Sequence, residues 1–107
     1  MSEPDLGNLF TKAKEMQSQL ERVQRELAER TREGSAGGGM VTAVVRGDLR
    51  VASVQIEPGL IEEGDRELIQ DLVAAAVNAA LANAQSMVQS EMQKASGPMA
   101  SLLGLGS

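Results

Sequence analysis

Cysteine, histidine, tryptophan and tyrosine are all missing from this 107-residue chain, and Phe10 is its one aromatic residue. Without cysteine there is no disulfide framework and no thiolate metal site; without histidine the commonest metal ligand and the commonest general base are gone. Asp, Glu, Ser and Lys remain, but no spacing here assembles a nucleophile with its base. The expectation is a protein with no catalytic residues, no metal, no cofactor and no small-molecule substrate. Large side chains are scarce as well, because fourteen of the apolar residues that make up 42% of the chain are alanine. A single domain this size buries a modest share of its surface, so subunit association is the expected source of the missing burial, most simply a twofold homodimer. The acidic start, Met1-Ser2-Glu3-Pro4-Asp5, does not read as a secretory signal, and no apolar run reaches membrane-spanning length. A cytoplasmic location with no membrane partner follows as an expectation.

What the chain does have is a seam. Leu6, Leu9, Ala13, Met16, Leu20, Val23 and Leu27 alternate three and four apart, and the next position of the pattern is Arg30. A stripe repeating every 3.5 residues keeps facing a second helix along its length, whereas a helix on a broad core shows a wider apolar face. The spacing predicts a first helix over 5–32, on the order of 40 Å long, with Pro4 or Asp5 near its start. Gly34-Ser35-Ala36-Gly37-Gly38-Gly39 then costs a helix too much backbone entropy, and 33–39 reads as a flexible glycine joint. The run does not read as a phosphate-cradling loop, since it precedes a strand and lacks the lysine and helix start such loops need. A short third strand around Ala28 to Glu33 is an open alternative to the last helical turn.

Residues 40–56 read as an antiparallel β-hairpin. Met40 to Arg46 and Leu49 to Ile56 are rich in β-branched residues and are separated by Gly47-Asp48, which suits a tight turn. Pairing puts Val41, Ala43 and Val45 on one face with Ala52, Val54 and Ile56, and leaves Met40, Thr42, Val44, Arg46, Val51, Ser53 and Gln55 on the other. Glu57-Pro58-Gly59 breaks the second strand. Gly64-Asp65 offers a turn and a helix cap, and a last helix is expected over 65–95. Its Ala74-Ala75-Ala76 and Ala79-Ala80 positions permit close backbone approach. Gly97-Pro98 is expected to end it, leaving 97–107 as a mobile tail. The fold class is therefore α+β: helix, hairpin, helix, with the two helices antiparallel and Lys12, Lys14 and Lys94 gathered at one free tip.

Net charge is −5, and residues 57–71 alone account for it through Glu57, Glu62, Glu63, Asp65, Glu67 and Asp71 against Arg66. That stretch lacks the oxygen-ligand spacing of a calcium loop, and solvated acid near a helix N-terminus is its plain reading. Lys12, Lys14, Arg22, Arg25, Arg30 and Arg32 all belong to the first helix, so any positive surface lies there. From Leu72 to Gln93 there is no lysine or arginine. Glu21 and Arg25, and Glu26 and Arg30, stand four apart with the acid first, the pattern of an ordinary salt-bridged face. Met16, Met87, Met92 and Met99 sit at helical spacing and read as packing.

Leu9, Lys12-Ala13, Met16-Gln17, Gln24, Glu26-Leu27, Gly37-Gly38-Gly39-Met40-Val41, Gly47, Ile56-Glu57-Pro58, Leu60 and above all Asp71 to Ala80 (DLVAAAVNAA) together resemble the YbaB/EbfC family of bacterial nucleoid-associated proteins. The resemblance covers Leu9 to Met99. It implies a tweezer-like homodimer whose sheets join at the base and whose helix pairs project as arms, gripping double-stranded DNA at or between the arm tips with weak sequence preference. On that reading Lys12, Lys14 and Lys94 come first as DNA-binding residues, followed by Arg22 and Arg25, all acting on phosphates. The shortage of aromatics argues for duplex over single strands. The alternative is a prefoldin-like holdase or protein-interaction module whose paired helical arms clasp a polypeptide.

Overall fold

The computed structural model describes residues 6–102, with side chains placed through Ala95. In chain order the elements are α1 (Leu6–Glu29), β1 (Thr31–Ala36), β2 (Val41–Arg46), β3 (Val51–Ile56), α2 (Pro58–Glu63) and α3 (Arg66–Leu102). The three strands form one antiparallel sheet in the order β1-β2-β3. α3 lies across β1 and β2 and scarcely meets β3.

The contact between α3 and the sheet is built from small residues. Ala76, Ala80 and Ala84 recur every four positions on α3 and are fully buried, facing Val41, Ala43 and Val45 of β2. Gly34 lies opposite Ala43 in β1; a Cβ there would overlap the backbone nitrogen of Ala80 and stand 2.7 Å from the Ala76 carbonyl oxygen. Helix and sheet thus approach at backbone distance, which explains a third strand of low β-propensity, TREGSA: context decides strand formation more than intrinsic preference does. The expected joint over 33–39 is therefore replaced. α1 stops at Glu29 and the strand occupies Thr31–Ala36, later than the Ala28 to Glu33 window. The glycine run closes the tight turn to β2, with φ of 65°, 67° and 93° at Gly37, Gly38 and Gly39.

The hairpin forms in the expected register, with Val41 opposite Ile56 and Ala43 opposite Val54. An irregularity at Val44/Val45 then sets Val51, in place of Ala52, opposite Val45. Such an extra residue bends a strand locally. Met40, expected on the open face, packs against the core. Beyond β3, Pro58 opens the short α2 instead of a loop, as proline does at a first helical turn, and Leu60 is buried from it. Gly64 ends α2 at φ 73°, and the Asp65 carboxylate accepts the Leu68 amide at 3.1 Å, the cap that Gly64-Asp65 announces. α3 continues through Gly97 and Pro98 to Leu102, past the expected end at residue 95. Pro98 forgoes one helical hydrogen bond, while Met99, Ala100 and Leu102 are good helix formers. The remainder of the expected tail, 103–107, lies outside the described residues.

Chain direction follows from contacts along α3. Arg30 reaches Glu91, the Glu33 carbonyl accepts from Asn83, Gly34 lies on Ala80 and Gly37 on Leu72. As the chain advances through β1 its neighbours on α3 recede, so α1 and β1 both run antiparallel to α3 without a reversal between them. The helices are antiparallel as expected, although an odd number of strands separates them.

Candidate nucleic-acid interface

α1 leaves the sheet alongside the far part of α3 and then outreaches it. From Glu91, beside Arg30, α3 continues for about 16 Å to Leu102, whereas the 24 residues of α1 span about 36 Å. The long axis of the molecule is 79 Å. Exposure along the seam records this geometry: Leu27 is 2% exposed, Val23, Leu20 and Met16 are half-buried, and Leu9 and Leu6 are 55% and 65% exposed. The inner seam packs against α3, and the outer seam with Phe10 beside it is bare.

Lys14, Ser18, Arg22 and Arg25 follow one another at intervals of four, four and three. In a 3.6-residue helix this places them in one stripe on the side away from the seam. All four are exposed, and Thr11, Lys14, Glu15, Ser18 and Gln19 line a shallow groove along that part of α1. Lys12 is two residues from Lys14 and so points to another side of the helix. Lys12, Lys14, Arg22 and Arg25 form no ion pair among the described residues. Neither Glu21/Arg25 nor Glu26/Arg30, the anticipated salt-bridged face, pairs among the described residues; Arg30 lies past the helix end and turns to Glu91 at 3.9 Å.

Lys94 does not join the other two lysines. Its Nζ lies 3.6 Å from the same Glu91 oxygen that Arg30 approaches, at the inner end of α1. Lys14 is sixteen residues further out, about 24 Å along the helix. The expected cluster of Lys12, Lys14 and Lys94 at one tip is thus split, because the register that sets Glu91 beside Arg30 holds Lys94 at the inner end of α1.

A second basic group, unmarked by any motif, collects where α1 meets the sheet. Arg46 donates to the Ala28 carbonyl at 3.4 Å and pairs with Asp48 at 3.2 Å; Arg50 approaches the same Asp48 oxygen at 4.0 Å. The Gly47 and Asp48 amides donate to the Arg30 and Ala28 carbonyls at 2.8 and 3.3 Å, so the β2–β3 turn satisfies carbonyls at the end of α1. The only sequence signal was two arginines flanking Gly47-Asp48. The acid excess lies at the opposite pole: Glu57, Glu62, Glu63, Asp65 and Glu67 are exposed around α2 and the start of α3, beside the end of the sheet remote from α1, whereas the exposed Glu15, Glu21, Glu26 and Glu29 of α1 equal its four cations in number. Among the described residues no acidic group has the grouping to hold a metal ion, and no helix is long and apolar enough to cross a membrane.

Comparison with known proteins agrees with this architecture. A crystal structure of an uncharacterized protein from Helicobacter pylori superimposes with a TM-score of 0.58 at 20% identity, covering 73% of this chain and 90% of that one, which shows a shared fold. A nucleoid-associated protein of Acetivibrio thermocellus is 44% identical over 101 residues, 94% of this chain and 89% of the relative. A nucleoid-associated protein of a Caulobacter strain is 44% identical over 100 residues, 94% of this chain and 92% of the relative. The sequence model of the YbaB/EbfC DNA-binding family matches residues 1–99, and the chain belongs to that family.

Proposed function

We propose that this protein is a nonenzymatic, nucleoid-associated DNA-binding homodimer that holds duplex DNA by its phosphates with weak sequence preference, bending or bridging it and so organising the nucleoid and influencing gene expression. The observation that carries this reading is the stripe of Lys14, Arg22 and Arg25, exposed and without ion-pair partners among the described residues, on a helix that projects beyond its neighbour. Cations so placed displace condensed counterions from the duplex, which supplies affinity without reading base edges. Lys12 contributes from the flank of α1 and Lys94 from its inner end. The acid excess of residues 57–71 lies at the other end of the sheet, away from α1, where Glu15, Glu21, Glu26 and Glu29 balance the four cations without outnumbering them.

Dimerisation is supported by exposed apolar residues: Val54 of β3, the strand that α3 scarcely meets, together with Ile61 of α2 and Leu68 of α3. A twofold pairing there joins two sheets and leaves both α1 arms free, the forked shape a duplex fits. The test is a mobility-shift titration on two unrelated duplexes at low and moderate salt. The expected outcome is equal affinity for both, falling steeply with salt, and an equal loss on both when Lys14→Glu is combined with Arg22→Glu. The exposed Leu6, Leu9 and Phe10 favour a second reading, a holdase gripping unfolded chains between apolar arm tips. Suppressed client aggregation with no duplex shift at low salt would overturn the first reading in favour of the second.

A further inference from the structure

We infer that the turn between β2 and β3, together with Lys94, forms a second phosphate-binding site for the duplex at the inner end of the α1 arm. The inference rests on the DNA-binding reading above and extends its footprint past α1. Two carboxylates each stand between two cations here: Asp48 between Arg46 and Arg50, and Glu91 between Arg30 and Lys94. Each trio keeps one unit of positive charge unneutralised. Three separate stretches of the chain bring these trios together around the junction of α1 with the sheet.

The turn is also held ready. The Arg46 amide donates to the Arg50 carbonyl and the Leu49 amide to the Arg46 carbonyl, both at 2.9 Å, while Gly47 and Asp48 bond to the end of α1. Leu49 sits at φ 65°, a left-handed conformation that leucine rarely adopts and that surrounding structure must impose. A guanidinium presented from a turn already ordered loses little further freedom on binding. Arg50 and Lys94 are the accessible members, with side chains 82% and 71% exposed. Exposed pairs at 4.0 and 3.6 Å hold a cation weakly, so a phosphodiester can take it over. Lys14, Arg22, Arg25 and Arg30 lead along the chain to this junction, which makes a duplex strand following α1 the fitting occupant, ahead of a free anion.

The experiment pairs Arg50→Gln with Lys94→Gln in the full chain and measures affinity for two unrelated duplexes across a salt series. The expected result is at least a fivefold loss on both duplexes, with the slope of log affinity against log salt shallower by close to two, about 0.9 for each phosphate released. The charge-conserving pair Arg50→Lys with Lys94→Arg keeps the wild-type slope, and matching thermal melts show that the fold is intact. Unchanged affinity and slope in the glutamine pair, with wild-type binding present, overturns this site and leaves the arm stripe standing. Wild-type protein that shifts no duplex overturns the underlying reading instead. Saturable binding of inorganic phosphate that the glutamine pair abolishes, with duplex affinity unaltered, assigns the site to a free anion and overturns the duplex assignment.

Discussion

Gly34 and Ala80 set how closely β1 and α3 can approach, and everything else in the small core follows from that distance. Replacing Gly34 with alanine drives a methyl group into the Ala80 and Ala76 backbone, which no rotamer change relieves. Overpacking of this kind costs about 3 kcal/mol, so Gly34→Ala should lower the melting temperature clearly in calorimetry or circular dichroism while leaving helix content in the folded state unchanged. The alanines of α3 were legible beforehand as a surface for close approach. Their partner was not, because glycine in a GSAGGG run reads as a joint until a helix is seen lying on it. The same holds for Lys94: antiparallel helices suggested that it joins Lys12 and Lys14 at one tip, and the register of α3 against Arg30 keeps it at the inner end of α1.

α1 works as two segments. Its inner turns are covered by α3, and its outer turns are not. Leu27→Ala empties a buried site and should cost about 3 kcal/mol in chemical denaturation, whereas Leu9→Ala, at an exposed position, should change protomer stability by less than about 0.5 kcal/mol. The heptad spacing announced the seam residue by residue, and the structure places all seven of them on one side of α1. Where the seam finds a partner depends on how far α3 extends, a length that periodicity within α1 cannot supply. β1 shows the complementary case, a strand whose own sequence argues against it and whose ladder with β2 and contact with α3 override that preference.

At the scale of the whole molecule, the acid excess is concentrated at one end. Exposed carboxylates surround α2 and the start of α3, while α1 carries Lys12, Lys14, Arg22 and Arg25 beside an equal number of glutamates, Glu15, Glu21, Glu26 and Glu29. Val54 of β3 is left 38% exposed because α3 lies over two strands of three. Val54→Asp should therefore convert the proposed dimer to monomer in sedimentation velocity and make the melting temperature independent of protein concentration, with the arm residues untouched. Retention of a dimer in that variant would place the interface elsewhere, at the exposed Leu49 and Val51 beside the β2–β3 turn or along the outer seam of α1.

Periodicity and punctuation are local properties, and the sequence by itself determined what depends on them: two long helices, the hairpin register from Val41/Ile56 to Ala43/Val54, the Asp65 cap, the acidic stretch 57–71 and the family. Tertiary structure alone decided what depends on distances between segments far apart in the chain. The strand character of Thr31–Ala36 comes from a glycine seated on α3, and the separation of Lys94 from Lys14 comes from the register of two antiparallel helices, which sets Glu91 beside Arg30. The grouping of Arg30, Arg46, Arg50 and Lys94 comes from a turn that docks on the end of α1. A helix can be read from its own spacing, but a charge cluster drawn from three parts of the chain exists only once the fold has brought them together.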